Sequence, residues 1–315
     1  VNIAPLFSAQ HHPVVVTPRA NATAAALDEY VAAHAADLRQ LLLDHGGILF
    51  RGFGLNSADD FNDTVTRTGA RPLQYVGGNS PRTKVTREVY TSTEYPATET
   101  ISLHNEMSYL HEWPRRLFFY CQLPASGGGQ TPLASGRDIL HDMPPDIVEK
   151  LRTKKINYIR YFRSDVKIGK SWQATYQTED KAELERIVHA QGSRCTWEAN
   201  GRLRINTICD AFTVHPDTGA EVWFNQAEQW HPSALHPELR KAFESRSLLA
   251  HHCEFGDGEA MDDHTLARIR AAVNSHKLVF DWEKGDLLML DNILLLHGRE
   301  PFTGDRKTLA YLSAI

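Results

Sequence analysis

The sequence predicts a single α+β domain over residues 1–315. Three observations point to it. Apolar residues recur at helical spacing in a few discrete segments, short β-branched and aromatic runs fill much of the remainder, and no repeat, low-complexity tract or linker divides the chain. Across residues 23–45, Leu27, Tyr30, Val31, His34, Leu38, Leu41 and Leu42 fall largely on one side of a helix. Gly46-Gly47 marks its expected end, because glycine takes up the left-handed turn at a helix C-terminus without a Cβ penalty. Ile48-Leu49-Phe50 then reads as a short buried strand, and Ser57 is placed to cap a second helix running through Phe61 and Val65. Beyond this the pattern turns sheet-like, with strands expected within 85–91, 117–121 and Ile156–Phe162. Helices return at 181–191, Pro237–Ser245 and 262–276.

Composition narrows the function classes. A hydrophobic content of 42% supports a substantial core, and a formal net charge of -5 leaves no basic footprint for nucleic acid. No uncharged apolar run approaches the length of a membrane span, and no signal-peptide pattern opens the chain, so neither membrane nor nucleic acid is an expected partner. Cys121, Cys195, Cys209 and Cys253 are scattered without C-x-x-C spacing, which fits a reducing cytoplasm better than a disulfide scaffold or a zinc knuckle.

The residues that carry chemistry lie far apart in the chain. In an extended strand, residues i and i+2 project to one face, so His104 and Glu106 of His104-Asn105-Glu106 can reach one metal while Asn105 points away. A third ligand must come from elsewhere. His297 is the candidate, reached through the strand-like run from Gly285 to Asn292 and then Leu294-Leu295-Leu296. Two histidines and a carboxylate on one face of an octahedron leave three positions open, the arrangement of non-haem Fe(II) oxygenases. Arg306, nine residues after His297, is placed to hold a dicarboxylate co-substrate, since a planar guanidinium pairs with a carboxylate through two charge-assisted hydrogen bonds. The bland reading makes His104 and Glu106 ordinary polar residues and His297 a core histidine; the conjunction with Arg306 speaks against it.

Other motifs are weaker. Gly127-Gly128-Gly129 lacks the G-K-[ST] ending of a phosphate loop and suits a tight turn or close backbone approach. His251-His252-Cys253 resembles a metal site, but neighbours in a strand face opposite ways. Phe118, Phe119, Trp223, Phe224, Trp230 and Trp282 are candidate pocket walls, with simple core packing the alternative for each.

Taken in order, Gly47-Ile48-Leu49-Phe50-Arg51-Gly52-Phe53, Leu103 to Tyr109, Gly127-Gly128-Gly129-Gln130-Thr131-Pro132 and Gly285 to Arg306 resemble the taurine-dioxygenase-like superfamily of Fe(II)/2-oxoglutarate oxygenases. The nearest branch is the amino-acid hydroxylases of natural-product pathways, including syringomycin-type aspartyl hydroxylases and relatives of clavaminate synthase. The resemblance runs from about residue 40 to the end. It implies a double-stranded β-helix (jelly roll) core with helices packed outside. It also implies His104, Glu106 and His297 as iron ligands, and Arg306 with Thr131 as contacts of the distal carboxylate of 2-oxoglutarate. The expected co-substrates are 2-oxoglutarate and O2. Ala310 stands where taurine dioxygenase has a second arginine, which argues against a sulfonate substrate. Halogenating relatives lack the carboxylate that Glu106 provides, so hydroxylation is expected, with desaturation and cyclisation as other outcomes of the same centre.

An amino acid, free or tethered to a carrier protein, is the expected substrate. Candidate contacts are Tyr109, Arg82, Arg87, Asn225 and Gln226. Two other classes compete: a non-catalytic metal-binding jelly-roll protein, which would have no use for Arg306 and Thr131, and a zinc hydrolase, which would leave Arg306 unexplained.

Overall fold

A computed structural model describes residues 1–8, 12–73, 83–86, 88–92, 95–163, 170–245 and 248–315. Arg82 and Arg87 lie outside the described residues. The largest sheet has eight strands, in spatial order Asn2–Pro5, Val14–Thr17, Gly47–Phe50, Leu287–Asp291, Arg116–Leu123, Lys307–Ser313, Val89–Thr91 and Lys84–Thr86. Opposite it stands a three-stranded sheet in the order Ile101–His104, Leu295–Arg299, Leu133–Ser135. These are the two sides of a jelly roll. A further sheet of Arg194–Trp197, Leu203–Cys209, Ile156–Phe162 and His251–Phe255 is inserted, in sequence, between Leu133–Ser135 and Leu287–Asp291.

The central strands of the large sheet are buried on both faces, and their alternation assigns each residue to one of two cores. Ile48, Phe50, Phe118, Tyr120, Leu287, Met289, Leu309 and Tyr311 share one cluster with Leu27, Val31, Leu38, Leu42, Phe61 and Val65 of the N-terminal helices. Leu49, Leu117, Phe119, Cys121, Leu288, Leu290, Ala310 and Leu312 share the other with Leu133, Leu295 and Leu296 of the smaller sheet. The second cluster is the interior of the roll. Trp223, Trp230 and Trp282 belong to it as well, Phe118 faces the helices, and Phe224 packs with Val222, Ile293 and Leu294.

The helix expected over 23–45 is two helices, Ala24–Ala33 and Ala35–His45. The chain bends at His34, whose φ of -116° and ψ of 27° are not helical. Its backbone N–H still reaches Tyr30 O, its Nδ1 lies 2.9 Å from the same oxygen, and its ring stacks on Tyr30 at 4.4 Å. Both contacts converge on one carbonyl in the last turn of the first helix, and no side chain caps the start of the second. Gly46 closes the second helix with φ +68°, where a Cβ would lie 2.6 Å from Leu295 Cγ. Ser57 caps Ala58–Arg67 through a reciprocal box with Asp60, as its position suggested. Ile156–Phe162 and Pro237–Ser245 form with the bounds expected of them.

Candidate active site

His104 is the last residue of its strand and sits directly opposite His297 in the ladder between Ile101–His104 and Leu295–Arg299. Their rings are 4.4 Å apart, and His297 Nε2 is 3.9 Å from Glu106 Oε2. One ligand atom from each of His104, Glu106 and His297 lies within 4.8 Å of the others, the single group of this kind among the described residues. The side chains expected to converge therefore do so, but not by the expected route. The strand stops at His104, and Glu106 lies in the turn that follows.

That turn is held from across the molecule. Asn292 Oδ1 accepts the Glu106 N–H at 2.7 Å, while Asn292 Nδ2 donates to Glu106 O at 3.0 Å and to Pro114 O at 2.8 Å. Asn105 Nδ2 donates to Asn292 O at 2.7 Å, so Asn105 does point away from the metal cluster, into a buried clasp. One amide thus replaces a missing β-ladder for the carboxylate-bearing residue. Asn292→Ala leaves both polar groups of the Glu106 peptide without this partner. It is expected to destabilise the fold by about 3 kcal/mol and to weaken Fe(II) binding ~10-fold or more. Urea denaturation and an anaerobic metal titration check the two effects separately.

His104 Nδ1 lies 2.8 Å from Ser102 O. A carbonyl can only accept, so Nδ1 carries the hydrogen and Nε2 keeps its lone pair for a metal. Phe119 covers His297, with ring centroids 5.2 Å apart.

One cavity joins these histidines to Thr131, Arg306 and Thr308. Arg306 Nε donates to Gly129 O at 3.0 Å, and its guanidinium lies 5.6 Å from the Phe302 ring. No carboxylate pairs with it among the described residues. Burial first, and then the neighbouring Arg299, push its pKa down to about 10, which still leaves it charged at neutral pH. Gly129 has φ +74°, and a Cβ there would sit 3.0 Å from Arg306 Cδ. The glycine run therefore makes room for the arginine rather than cradling a phosphate. Thr131 Oγ1 accepts from Trp282 Nε1 at 3.0 Å, which leaves its own hydroxyl proton to donate. Arg299 spends its guanidinium on Tyr95 O, Pro96 O and Glu99 O, tying the segment before His104 to the strand of His297.

The expected substrate contacts are placed differently. Asn225 Nδ2 donates to Ala211 O and its Oδ1 accepts from Ala227 N. Gln226 Nε2 donates to Asn105 O at 2.6 Å, and its Oε1 accepts from Trp230 Nε1 at 3.0 Å. Both amides brace the backbone around the site. The Tyr109 ring is buried against Trp230 at 4.6 Å and Tyr158 at 6.4 Å. Sequence reasoning passed over Arg160, which is 2% exposed, donates to Tyr176 OH at 2.6 Å and has its guanidinium 5.8 Å from the Tyr109 ring. A charge in the middle of the apolar strand Ile156–Phe162 was the available signal. Across the ladder from Arg160, burial lowers the pKa of His251 to about 4, so that imidazole is neutral.

Two imidazoles and a carboxylate fit an iron facial triad, and a half-buried guanidinium with no carboxylate partner among the described residues, in the same cavity, fits a co-substrate carboxylate. The model for the taurine catabolism dioxygenase TauD, TfdA family matches residues 9–312. The chain belongs to the TauD/TfdA family. It is 37% identical over 308 residues to the dapdiamide synthesis protein DdaC of Enterobacter agglomerans, covering 97% of this chain and 92% of that one. A clavaminate synthase-like protein of Arabidopsis thaliana is 33% identical over 287 residues, covering 87% and 83%. Among solved structures, PvcB of Pseudomonas aeruginosa superposes with a TM-score of 0.57 at 16% identity, covering 99% of this chain and 90% of that one. AAD-2 in complex with Mn(II) and N-oxalylglycine gives 0.55 at 10% identity, covering 99% and 97%. This TauD/TfdA member is an Fe(II)- and 2-oxoglutarate-dependent dioxygenase. Ala310 is 1% exposed within the core, so the place of a second arginine in taurine dioxygenase is taken by a packed methyl group. Among the described residues no helix is long and apolar enough to cross a membrane.

Proposed function

We propose that this dioxygenase hydroxylates an unactivated C–H of an amino acid or amino-acid-derived compound, free or tethered to a carrier protein, in a specialised-metabolite pathway. In this reading residues 1–315 act as one domain in the cytoplasm, consistent with four free cysteines. His104, Glu106 and His297 hold the iron, and Arg306 with Thr131 holds the distal carboxylate of 2-oxoglutarate. The observation that carries the assignment is Arg306, a half-buried guanidinium without a carboxylate partner among the described residues, facing the same cavity as the two histidines. When bound, iron and 2-oxoglutarate supply the oxidising power, with O2 consumed and succinate and carbon dioxide released. The chain's own residues position and shield. The Nδ1–H of His104 on Ser102 O fixes which nitrogen faces the metal, and Phe119 and Trp282 exclude water from the histidine and threonine sides. Glu106 fills the position a halide would need, which favours hydroxylation over halogenation.

Tyr109, three residues after Glu106, and the buried guanidinium of Arg160 beside it support a substrate bearing a carboxylate. The relative named for dapdiamide synthesis supports a biosynthetic role rather than sulfonate catabolism. The test is anaerobic. With Fe(II) and 2-oxoglutarate bound, free amino acids are added one at a time, and the visible charge-transfer band is followed for the shift that reports loss of metal-bound water. A shift followed, under O2, by a product that has gained one oxygen atom supports the proposal. A shift followed by loss of two hydrogens assigns desaturation or cyclisation and ends the hydroxylase reading. Absence of a shift with every free amino acid leaves the carrier-tethered form, to be tested with aminoacyl thioesters.

A further inference from the structure

We propose that two adjoining cavities beside the helix Ala35–His45 together bind a small amphiphile with an anionic head and an apolar tail, at a site separate from the iron centre. One cavity, of about 360 Å³, is lined by Arg39, Arg115, Arg116, Asp217 and Asp291. The other, of about 340 Å³, has Val31, Leu38, Leu42 and Met289 in its walls. Arg39, Leu42, Arg116 and Ile315 line both, so the two lie side by side. Each reaches the size at which small-molecule pockets begin, about 300 Å³. Val31, Leu38, Leu42 and Met289 belong to the core between the large sheet and the N-terminal helices, whereas Phe119, beside His297, belongs to the interior of the roll. Arg116 alternates with Leu117 and so projects to the helix side, as Phe118 does.

The charges in the first cavity do not balance. Asp217 is shared, with Oδ1 at 2.8 Å from Arg39 Nη2 and Oδ2 at 3.4 Å from Arg115 Nη2. Asp291 is spent on the fold: Oδ1 accepts from the backbone N–H groups of Ile293 and Leu294, and Oδ2 lies 3.0 Å from His215 Nε2. His215 Nδ1 accepts from Asp217 N and Thr218 N, so its hydrogen is on Nε2 and the imidazole is neutral. Three guanidiniums therefore face two engaged carboxylates. Arg116, half-buried, makes no hydrogen bond or ion pair among the described residues, and Arg115 Nε is buried without a partner. The main-chain O of Ile315 is taken by Ser313 Oγ.

Burial lowers the pKa of Arg116, Asp291 opposes the shift, and Arg39 and Arg115 add to it. A cation held this way gains from an anion that supplies the missing acceptors, and a guanidinium fork suits a carboxylate or phosphate head. The neighbouring apolar walls set the rest of the ligand. A tail lying against Leu38, Leu42 and Met289 removes apolar surface from water, which an inorganic anion held by the arginines would not do.

The test is calorimetric, with octanoate as the probe and the chain loaded anaerobically with Fe(II) and 2-oxoglutarate so that the iron site is filled. Octanoate is expected to bind at a single site and to leave the charge-transfer band of bound 2-oxoglutarate unchanged. Acetate should bind at least ~100-fold more weakly, since each buried methylene is worth about fourfold. Arg116→Gln should weaken octanoate about tenfold, as loss of hydrogen bonds to a charged group implies. The same variant should unfold at no lower temperature than the wild type, because a half-buried cation without a partner is removed. Arg39→Gln, at an exposed helix position, should weaken octanoate several-fold in a folded chain. Octanoate binding unchanged in both variants overturns the proposal, as does loss of the charge-transfer band, which puts octanoate on the iron. Acetate or phosphate binding as tightly as octanoate also overturns it, since the tail then contributes nothing. Absence of octanoate binding to the wild-type chain ends it outright.

Discussion

Arg306→Ala is expected to raise the KM for 2-oxoglutarate by ~100-fold or more, because in the proposed site this residue supplies the charge that meets the distal carboxylate. Hydrogen bonds to charged groups contribute about 1.5–3 kcal/mol each, and a guanidinium fork makes two in parallel. The surroundings strengthen the case. Burial and Arg299 already hold the pKa of Arg306 down at about 10, so the isolated cation is costly in the free protein and gains from an anionic partner. Arg306→Lys should recover only part of the loss, since an ammonium is a point charge and cannot fork. The sign of the pH dependence follows from the same number. Co-substrate affinity should be flat through neutral pH and fall as pH rises through about 10, where the guanidinium loses its proton. Initial-rate kinetics at fixed iron check each statement. A 2-oxoglutarate KM unaltered in Arg306→Ala would show that the anchor lies elsewhere.

His297→Ala should cost more still, with kcat/KM reduced ~1000-fold or more, because the chemistry depends on the metal, of which His297 is a proposed ligand. His297 faces His104 across a ladder in the protein interior, and its ring packs on Phe119 at 5.2 Å. Deletion of the imidazole leaves His104 and Glu106 as a pair too small to fix an octahedral face. Part of the loss will be structural, since the vacated space next to Phe119 is a cavity. Anaerobic equilibrium dialysis separates the causes. A variant that stays folded yet loses iron places His297 in the metal shell, whereas a folded variant that keeps iron and turnover removes it.

Much of the fold was legible because two-sided burial writes itself into the sequence. Leu287–Asp291 and Gly47–Phe50 are apolar runs because one face meets the helices and the other the interior of the roll. His297 stood out as a polar residue interrupting such a run. Other features depend on contacts between residues far apart in the chain, which periodicity does not record. The clasp of Asn292 on Glu106 spans 186 positions, and nothing local distinguishes Asn292 from any turn asparagine. The triplet around His104 was read as a strand throughout, yet the ladder ends at His104 and a side-chain amide takes over. The bend at His34 was hidden because apolar spacing continues across it, keeping Leu38 and Leu42 in the same core as Leu27 and Val31. Helices Gly136–Asp142 and Pro145–Lys154 escaped notice because each is short and carries only a few buried residues.

The most direct measurement is the anaerobic addition of one equivalent of Fe(II) to the wild-type chain, followed by 2-oxoglutarate, with the visible spectrum recorded at each step. A metal held by His104, Glu106 and His297 keeps three adjacent positions open, enough for a 2-oxo acid to chelate through two atoms. The predicted result is a weak visible charge-transfer band that saturates with 2-oxoglutarate and is absent without iron. No band from a protein shown to hold its iron would contradict the proposed centre and return the chain to the class of metal-binding jelly rolls without turnover.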